Sequence, residues 1–598
     1  MKFRALIERL SPAFRREDTL CRLITCWLLS SLTLLITSGD LYYSLAYVSV
    51  VSFPLLLLTF LLYFVGIGIA KYFLREFPVD PIALFASAVI SAVFWLADSS
   101  NPFLALAVFA FLAIVALYAL HRTEAFLPCI RINRRVFLIL VISFAGISAS
   151  VIAVIGCLRY LTFLAPNYDF GLFCDMFYGM KETGLPLTTS ERDTLLSHFA
   201  VHISPIYYLI LPFFCLFPSP LTLQIAQALI VVAGVIPLLL LARHFKLSRE
   251  LSLLLAVLYL FYPALASGCF YDIHENCFLP LLLLFTFYFY EKKLYVPMYL
   301  SSLLVLAVKE DAAVYLLLFA VYILLSRRSY IHGAILSVLS LSYFSLAIFI
   351  LNKFGDGAMI GRFDNLIYDK SEGLIGAVKT ALANPGFLFT QLFSTASAGW
   401  EKILYLLQML LPLAFLPFFT KKASRLLLVA PILLNLLTAY TYQFDIGFQY
   451  HFGILAFFFY AAVMNLPEIA TPVRRRVLSL ALVACLCIFV SRVFPNCGYY
   501  VDTYAATKDD CAAIEETLQL IPKDASVSAS GYFVAHIADR AAVYEIAYHA
   551  SKTDIDYVAI DLRHDSSADR TTRYYKAKGY KVFAELDGLV RILVSPDA

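Results

Sequence analysis

The segment from Phe199 to Phe217 reads FAVHISPIYYLILPFFCLF, and whether it crosses a membrane decides the fold of the chain. It is apolar enough to span a bilayer, but His202, Pro205 and Pro212 interrupt it. A spanning helix needs about 20 predominantly apolar residues and a backbone whose polar groups are satisfied internally. The charges of the loops on either side of the segment therefore have to settle its placement.

The composition of the whole chain is that of a membrane protein. Of the 598 residues, 61% are hydrophobic and only 15% are charged, whereas a soluble globular protein carries about 25% charged residues. This excludes a water-soluble protein of several domains. The net charge of +4 is too small to indicate a nucleic-acid partner. The twelve cysteines show no CxxC spacing, which argues against a structural zinc site or a disulfide framework.

Apolar runs predict about fifteen transmembrane helices. The predicted spans are residues 20–37, 44–70, 82–97, 103–120, 136–164, 221–242, 250–266, 277–290, 294–307, 312–326, 330–351, 402–419, 426–441, 450–465 and 476–494. Basic residues from Lys2 to Arg22 surround the start of the first run, as in a signal peptide. Because so many spans follow, we expect this segment to be retained as the first of them.

Lys and Arg fall in alternate loops if Phe199 to Phe217 does not cross the bilayer. The basic loops are 122–135, 243–249, 292–293, 327–328, 421–425 and 474–476, whereas loops 38–43, 98–102, 267–276 and 442–450 contain no Lys or Arg. Cytoplasmic loops collect Lys and Arg. The pattern predicts a multi-pass protein of the plasma membrane with a cytoplasmic N-terminus and an extracytoplasmic C-terminus. Segment 199–217 then lies at the outer face as an interfacial or re-entrant segment.

The chain is expected to comprise three regions: an N-terminal four-helix membrane extension at 1–135, a transmembrane core at 136–494 with an outer loop at 165–220, and a small extracytoplasmic α/β domain at 495–598. In the last region, helical spacing at 509–520 and strand-like runs at 525–529 and 556–561 are followed by a hairpin signal. Asp587-Gly588 is the predicted turn of that hairpin.

Four predicted outer loops carry ionisable side chains near the membrane. A charge close to hydrocarbon depth is kept where it lines a wet cavity or meets a partner, so we expect a common site. The candidate catalytic residues are Asp169, Asp175, His198, His202, Asp272, His274 and Glu275. The candidate phosphate-binding residues are Lys309, Glu310, Gln449, Tyr450 and His451. The alternatives are ordinary loop polarity and, for Lys309 and its neighbours, an ion pair that only holds helices together.

Asp169 lies just after a predicted span, where partial desolvation would raise its pKa towards that of a general base. The alternative is that it caps a helix over 170–180, because Asp is favoured at that position. Asp272, His274 and Glu275 offer oxygen and nitrogen ligands for a metal. Their spacing argues against a tight transition-metal site, while a weakly held magnesium or manganese ion bridging a phosphate stays open, as does the absence of any cofactor.

Six motifs resemble those of a prokaryotic family of predicted polytopic membrane proteins of unknown function. They are NYDFGLF at 167–173, HFAVHISPIYY at 198–208, YDIHE at 271–275, VKED at 308–311, QYH at 449–451 and IPKDASVSAS at 521–530. The resemblance covers roughly residues 136–598 and leaves out the first four spans. That family is in turn similar to GT-C glycosyltransferases, which use lipid-linked sugar donors.

The GT-C resemblance implies a catalytic Asp, or an Asp-Glu pair, in the first outer loop. Asp169 matches the first acid, but Phe170 follows it, so the paired form is absent. Whether Asp175 takes the place of the second acid stays open. It implies inverting transfer of a sugar from a polyprenyl-phosphate donor in the membrane lipid to an unidentified extracytoplasmic acceptor. Lys309, His202, His274 or a divalent ion would stabilise the leaving phosphate. The rival hypotheses are a transporter or flippase of a lipid-linked substrate and a non-catalytic membrane scaffold.

Overall fold

A computed structural model describes residues 16–38, 47–74, 77–97, 99, 101–125, 131–192, 194–357, 360–540, 542–549 and 554–598. The predictions for the basic residues before Arg16 and for parts of loops 38–43, 98–102 and 122–135 lie outside these residues.

The protein is mostly helical, as its apolar runs predict. The helices are α1 (Arg16–Ser38), α2 (Tyr47–Val50), α3 (Phe53–Phe73), α4 (Val79–Ala97), α5 (Pro102–Thr123), α6 (Arg134–Leu161), α7 (Leu172–Thr183), α8 (Leu211–Leu216), α9 (Pro220–Ala233), α10 (Val235–His244), α11 (Arg249–Leu260), α12 (Pro263–Ser267), α13 (Leu279–Glu291), α14 (Tyr295–Leu306), α15 (Ala312–Leu325), α16 (Tyr330–Phe354), α17 (Leu374–Ala383), α18 (Pro385–Phe393), α19 (Trp400–Leu410), α20 (Ile432–Leu436), α21 (Phe452–Asn465), α22 (Thr471–Leu518), α23 (Val534–Ile537), α24 (Ile546–His549) and α25 (Ala568–Ala577).

Within the described residues, ten helical segments are long and apolar enough to cross a membrane. They correspond to ten of the predicted spans and confirm a multi-pass membrane protein. Three further predicted spans are the shorter helices α13, α14 and α15, of 13, 12 and 14 residues. The predicted spans 402–419 and 426–441 are broken into short helices and 3₁₀ turns, because Pro412, Pro417 and Pro431 each remove a backbone donor.

The ambiguous segment Phe199–Phe217 contains no helix of spanning length. It consists of the 3₁₀ turns His198–Ala200 and Pro205–Leu209 followed by the six-residue α8. Each of the last two elements has a proline in its first turn, Pro205 and Pro212, where the missing N–H costs nothing. The segment is therefore broken where its sequence predicts.

The chain divides into two compact units. One comprises Met1–Phe137, Leu410–Phe415 and Ile469–Pro495, and the other comprises the remaining segments, Leu138–Met409, Leu416–Glu468 and Asn496–Ala598. In the first unit, Arg22 Nε lies 2.8 Å from Asp80 Oδ1 and both side chains are fully buried, so this ion pair joins α1 to α4. The second unit contains every candidate site residue and the C-terminal sheet.

The C-terminal region forms a five-stranded sheet in the order β4-β3-β5-β7-β6. Its strands are β3 (Val527–Ala529), β4 (Val543–Glu545), β5 (Tyr557–Asp561), β6 (Lys581–Leu586) and β7 (Val590–Val594), and a separate pair, β1 (Leu187–Thr188) and β2 (Leu196–Ser197), lies in the loop after α7. Strand β3 pairs in parallel with β4 and β5, and β7 runs antiparallel to β5 and β6.

The predicted strands and hairpin of the tail are confirmed, with Gly588 at φ 70° in the turn between β6 and β7. Two features differ from prediction. Strand β4 does not correspond to any predicted strand. The predicted helix 509–520 is the end of α22, which runs through Pro495; membrane helices tolerate proline where neighbouring groups satisfy the freed carbonyl.

Candidate functional site

Most of the candidate residues line one polar cavity of about 620 Å³. Its walls are Tyr168, Asp169, Leu172, Phe173, Glu191, Arg192, His198, Val201, His202, Tyr271, His274, Glu275, Lys309, Arg362, Tyr440, Tyr442, Phe448, Gln449 and Tyr450. Chain segments hundreds of residues apart therefore meet at one site. We call this space the polar cavity.

Asp169 lies in a single π turn, Asn167–Gly171, between the end of α6 and the start of α7. Such turns occur frequently at functional sites. The cap position of α7 is Gly171, without a side-chain hydrogen bond, so Asp169 does not cap this helix. Its side chain is 31% exposed, and its Oδ1 lies 3.4 Å from Nε2 of His274. The turn thus presents the carboxylate to the cavity beside an imidazole.

The electrostatics of Asp169 differ from the expectation. Burial acts to raise the pKa of Asp169, but the charge of His274 and hydrogen bonds from His274 and Tyr271 outweigh it, so that the pKa lies below its usual value. Burial likewise acts to lower the pKa of His274, and the charge of Asp169 raises it overall. The predicted upward shift of the Asp169 pKa is therefore wrong, because the neighbouring imidazole was not visible in the sequence.

Asp272 does not join the lining of the cavity. Its Oδ1 accepts hydrogen bonds from Arg159 Nε at 3.1 Å and from Gln224 Nε2 at 2.9 Å, and the side chain is 1% exposed. Its φ of 109° lies in a region that non-glycine residues rarely adopt. The residue turns the loop so that the following His274 and Glu275 face the cavity.

Glu275 and Lys309 form a buried ion pair on the cavity wall. Lys309 Nζ lies 2.9 Å from Glu275 Oε1, and the side chains are 7% and 2% exposed, respectively. Tyr207 donates a hydrogen bond to the other carboxylate oxygen, Oε2, at 2.7 Å. Burial opposes both charges, yet the ammonium holds the pKa of Glu275 below its usual value and the carboxylate raises the pKa of Lys309. Both groups are therefore charged at neutral pH.

Two histidines, His198 just before the interrupted segment and His202 within it, are held by carboxylates. His198 Nδ1 lies 3.0 Å from Glu191 Oε2, and His202 Nδ1 lies 2.9 Å from Glu310 Oε1. Glu310 also accepts a hydrogen bond from the backbone N–H of Ile203. Each imidazole is thus fixed in orientation at the cavity, whereas the Glu310 carboxylate lies behind its histidine.

Asp175 and His451 lie away from the polar cavity. Asp175 Oδ2 accepts hydrogen bonds from the Thr188 hydroxyl and from the backbone N–H groups of Thr189 and Ser190, at 2.7 to 2.9 Å. It therefore organises the loop after α7, and it does not replace the missing second acid beside Asp169. His451 is buried with Nε2 2.6 Å from the backbone oxygen of Ala264.

Several cavity residues were not among the candidates. Arg362 stacks over the rings of Tyr440 and Tyr450, at 4.8 and 5.1 Å. It lies in a 3₁₀ turn, Ile360–Leu366, between predicted spans, and no motif surrounds it. Tyr440 reads in the sequence as an ordinary residue at a membrane interface. Gln449 and Tyr450, which were candidates, do line the cavity.

A second, apolar cavity of about 500 Å³ adjoins the first. It is lined by apolar side chains of α15, α16 and α17 and of the segments at 363–366 and 434–437, and by the polar residues His202, Asn276, Lys309, Glu310, Asp311, Arg362, Asn435, Gln443 and Tyr450. His202, Lys309, Arg362 and Tyr450 line both cavities. We call this space the apolar cavity, and the four shared residues the junction.

The proposed metal ligands do not converge on one point. Asp272 faces Arg159, His274 faces Asp169, and Glu275 faces Lys309. Within the described ranges, no group of three or more His, Cys, Asp or Glu side chains is placed to hold a metal ion. These residues do not fit a shared divalent-ion site, since each already has a partner of its own.

Comparisons with known proteins give a family and two similar crystal structures of one protein. Residues 159–591 match the DUF2079 family of predicted membrane proteins, which confirms the family resemblance of the motifs. No curated protein matches the chain. The chain is similar to crystal structures of ArnT from Cupriavidus metallidurans. With undecaprenyl phosphate bound, the identity is 11%, the TM-score 0.49, and the match covers 76% of this chain and 97% of that chain. For the apo-state structure, the identity is 10%, the TM-score is 0.44, and the match covers 75% of this chain and 97% of that chain.

Proposed function

The chain belongs to the DUF2079 family of predicted membrane proteins, and from the geometry of its cavities we propose that it is a membrane glycosyltransferase. It would move a sugar from a polyprenyl-phosphate donor to an acceptor, with inversion at the anomeric carbon. The observation that carries the proposal is the junction, where a buried lysine and an arginine lie between a polar and an apolar cavity.

The junction suits an amphipathic donor in all its parts. A prenyl chain is hydrocarbon, and the apolar cavity beside α15 to α17 offers it a surface of the same kind. Lys309 and Arg362 carry positive charge at the point where the prenyl chain of the donor would end and its phosphate would begin. The sugar would then occupy the polar cavity, within reach of Asp169.

Asp169 is the best-placed general base. Among the carboxylates that line the polar cavity, Asp169 is 31% exposed, whereas Glu275 is 2% exposed and paired with Lys309, and Glu191 is 3% exposed and paired with His198. A pKa below its usual value keeps Asp169 ionised and ready to accept a proton. Because glycosyl transfer has an oxocarbenium-like transition state, a weak base suffices.

The proposed reaction is a single displacement. A lone pair of the acceptor hydroxyl or amine attacks the anomeric carbon on the face opposite the phosphate, and the bond from that carbon to the phosphate oxygen breaks. The electron pair leaves with the polyprenyl phosphate, whose added charge Lys309 and Arg362 stabilise. The acceptor proton passes to Asp169.

We place the cavity on the extracytoplasmic side. Loops 267–276 and 442–450, which contribute to its walls, contain no Lys or Arg. Basic residues are collected in the loops that alternate with these, at 243–249, 292–293, 327–328 and 421–425, as expected for the cytoplasmic side. The C-terminal α/β region would then also be extracytoplasmic.

The test is transfer by the purified full-length protein in detergent or vesicles with radiolabelled polyprenyl-phosphate sugars. Asp169→Asn should reduce transfer or donor hydrolysis at least 100-fold and leave donor binding intact. The matched control is Asp569→Asn, an acid that is 90% exposed on α25, which should retain wild-type activity. Undiminished transfer by Asp169→Asn would remove it as the base. Movement of the lipid across vesicles without any transfer would identify a transporter instead.

A further inference from the structure

The carboxyl edge of the C-terminal sheet faces the chain's own segment 160–171. Parallel strands β4, β3 and β5 lie in that spatial order, so the connections after β3 and β4 leave in opposite directions. In open α/β sheets, the crevice beyond the carboxyl ends of the strands at such a reversal is where ligands bind. This end of the sheet is therefore where a ligand site would be sought first.

Aromatic rings of the membrane core fill that crevice. Phe163, just after α6, packs edge-on to Phe533 and beneath the guanidinium of Arg563, which lies 5.3 Å from the Phe163 ring. His536 stacks on Phe163 with a ring separation of 3.6 Å and on Tyr160 with 4.1 Å. Where a ligand would lie, the sheet instead binds residues that lead into the Asp169 turn.

A buried hydrogen bond joins the sheet to the Asp169 turn itself. Glu545, the last residue of β4, accepts a hydrogen bond at 2.8 Å from Nδ2 of Asn167, two residues before Asp169. The same Nδ2 donates to the backbone oxygen of Ser190 at 3.0 Å. Asn167 is 3% exposed and Glu545 is 7% exposed. One amide thus ties the turn, the loop after α7 and the sheet together.

Two glycines allow this close approach. A β-carbon at Gly171 would lie 2.7 Å from Oδ1 of Asn167 and 3.1 Å from Cγ1 of Val534 on α23. A β-carbon at Gly531, which follows β3, would lie 3.0 Å from Oε1 of Glu545. The backbone of the Asp169 turn is therefore packed so closely against the sheet region that a residue larger than glycine at either position would require its neighbours to shift.

Thr189 supplies a second attachment on the neighbouring loop. Its hydroxyl donates to the backbone oxygen of Val543 at 2.7 Å and accepts from the N–H of the same residue at 2.9 Å. Val543 begins β4 and Glu545 ends it, so both ends of this three-residue strand are hydrogen-bonded to the membrane core. The next residues of the loop lead to Glu191, on the wall of the polar cavity.

We propose that the C-terminal α/β region is a positioning clamp, in which the carboxyl end of its sheet binds the Asp169 turn through Glu545 and Asn167 in place of a ligand. The inference rests on the proposed function for the role of Asp169, and Glu545 and Asn167 are positioning residues. Misplacing a catalytic group by about 1 Å can cost up to 100-fold in rate, so a clamp of this kind sets kcat rather than donor affinity.

The test compares Glu545→Ala with Glu545→Gln in the full-length protein. Glu545→Ala should lower kcat about tenfold, leave the donor Kd within about twofold of wild type, and accelerate hydrogen exchange of the amides at 167–172 by about tenfold. Glu545→Gln keeps an oxygen that accepts from Asn167, so it should stay close to wild type in all three. The matched control is Glu585→Ala, which removes an exposed pair with Arg591 on β7 and should change none of them.

Gly531→Ala is the second variant, since its β-carbon would lie 3.0 Å from Oε1 of Glu545 and would push the carboxylate by a few tenths of an ångström without removing it; exchange should rise in the same amides. Unchanged exchange at 167–172 in both Glu545→Ala and Gly531→Ala would overturn the clamp, as would an equal effect of Glu585→Ala. Exchange is measured without substrate. If the wild-type protein transfers no sugar, the proposed function fails while exchange still decides the clamp.

Discussion

Replacing Lys309 separates the folding role of the buried ion pair from its proposed role in binding phosphate. In Lys309→Met, the Glu275 carboxylate, 2% exposed, loses the ammonium that lies 2.9 Å away. Breaking one side of a buried pair costs about 3–5 kcal/mol. The double variant Lys309→Met/Glu275→Gln removes both charges and keeps an oxygen that accepts from Tyr207. It should recover most of that loss, because replacing both partners of a buried pair is often nearly neutral.

The pH dependence of stability provides a second test of the Glu275–Lys309 pair. In the wild-type protein, the pKa of Glu275 lies below its unfolded value, so its contribution to stability is present at neutral pH and is lost only as the pH falls through the folded pKa. Without Lys309, the largest of the influences that lower the pKa of Glu275 is gone, while burial still acts to raise that pKa. The stability deficit of Lys309→Met should then shrink as the pH is lowered from about 8 to 5.

The assays are thermal unfolding of the detergent-solubilised variants across this pH range and equilibrium binding of a polyprenyl phosphate. Losing one charge-assisted hydrogen bond costs about 1.5–3 kcal/mol, or roughly 10- to 150-fold in donor Kd. We expect the double variant to unfold near the wild-type temperature and still bind the donor weakly. Wild-type affinity in the double variant would refute a phosphate role for Lys309. A double variant as unstable as Lys309→Met would refute the pairing argument.

Three further changes test the site. His274→Gln removes the cation that lowers the pKa of Asp169, so the acidic limb of the kcat/KM profile against pH should move to higher pH; an unmoved limb would contradict the pairing. Ala381→Trp fills part of the apolar cavity and should raise the Kd of a long-chain donor about tenfold while sparing a ten-carbon analogue; equal effects on both would contradict a chain-binding role. Gly171→Ala places a β-carbon 2.7 Å from a side-chain oxygen and should destabilise by about 1–3 kcal/mol in thermal unfolding. Its control, Gly146→Ala on α6, has open space and should be neutral or slightly stabilising.

The convergence of the loops could be predicted because charge asymmetry is a property of the sequence alone. Asp169, His274 and Lys309 lie in different loops, yet the alternation of Lys and Arg assigned all three to one side of the membrane, and they line one cavity. The break in the segment at 199–217 could also be predicted from the sequence, since two prolines prevent a continuous helix.

The partners of each side chain could not be predicted, because they depend on packing between distant elements. Arg159 lies within α6 and reads as an isolated charge in an apolar run, but it binds Asp272 more than a hundred residues later. Arg362 reaches the junction from a turn without regular periodicity. The downward pKa shift of Asp169 depends on a contact with His274, and no spacing rule reports that contact.

Asp272 does not reach the polar cavity, but its backbone conformation positions two residues that do, His274 and Glu275. A non-glycine residue at φ 109° costs about 1–3 kcal/mol and persists only where its surroundings fix it. Arg159 and Gln224 supply that fixation by binding the Asp272 carboxylate. The sharp turn then directs His274 towards Asp169, and the next residue, Glu275, towards Lys309. Asp169 is held by its own π turn and His274 by the turn at Asp272, so separate elements of the chain position these two side chains 3.4 Å apart.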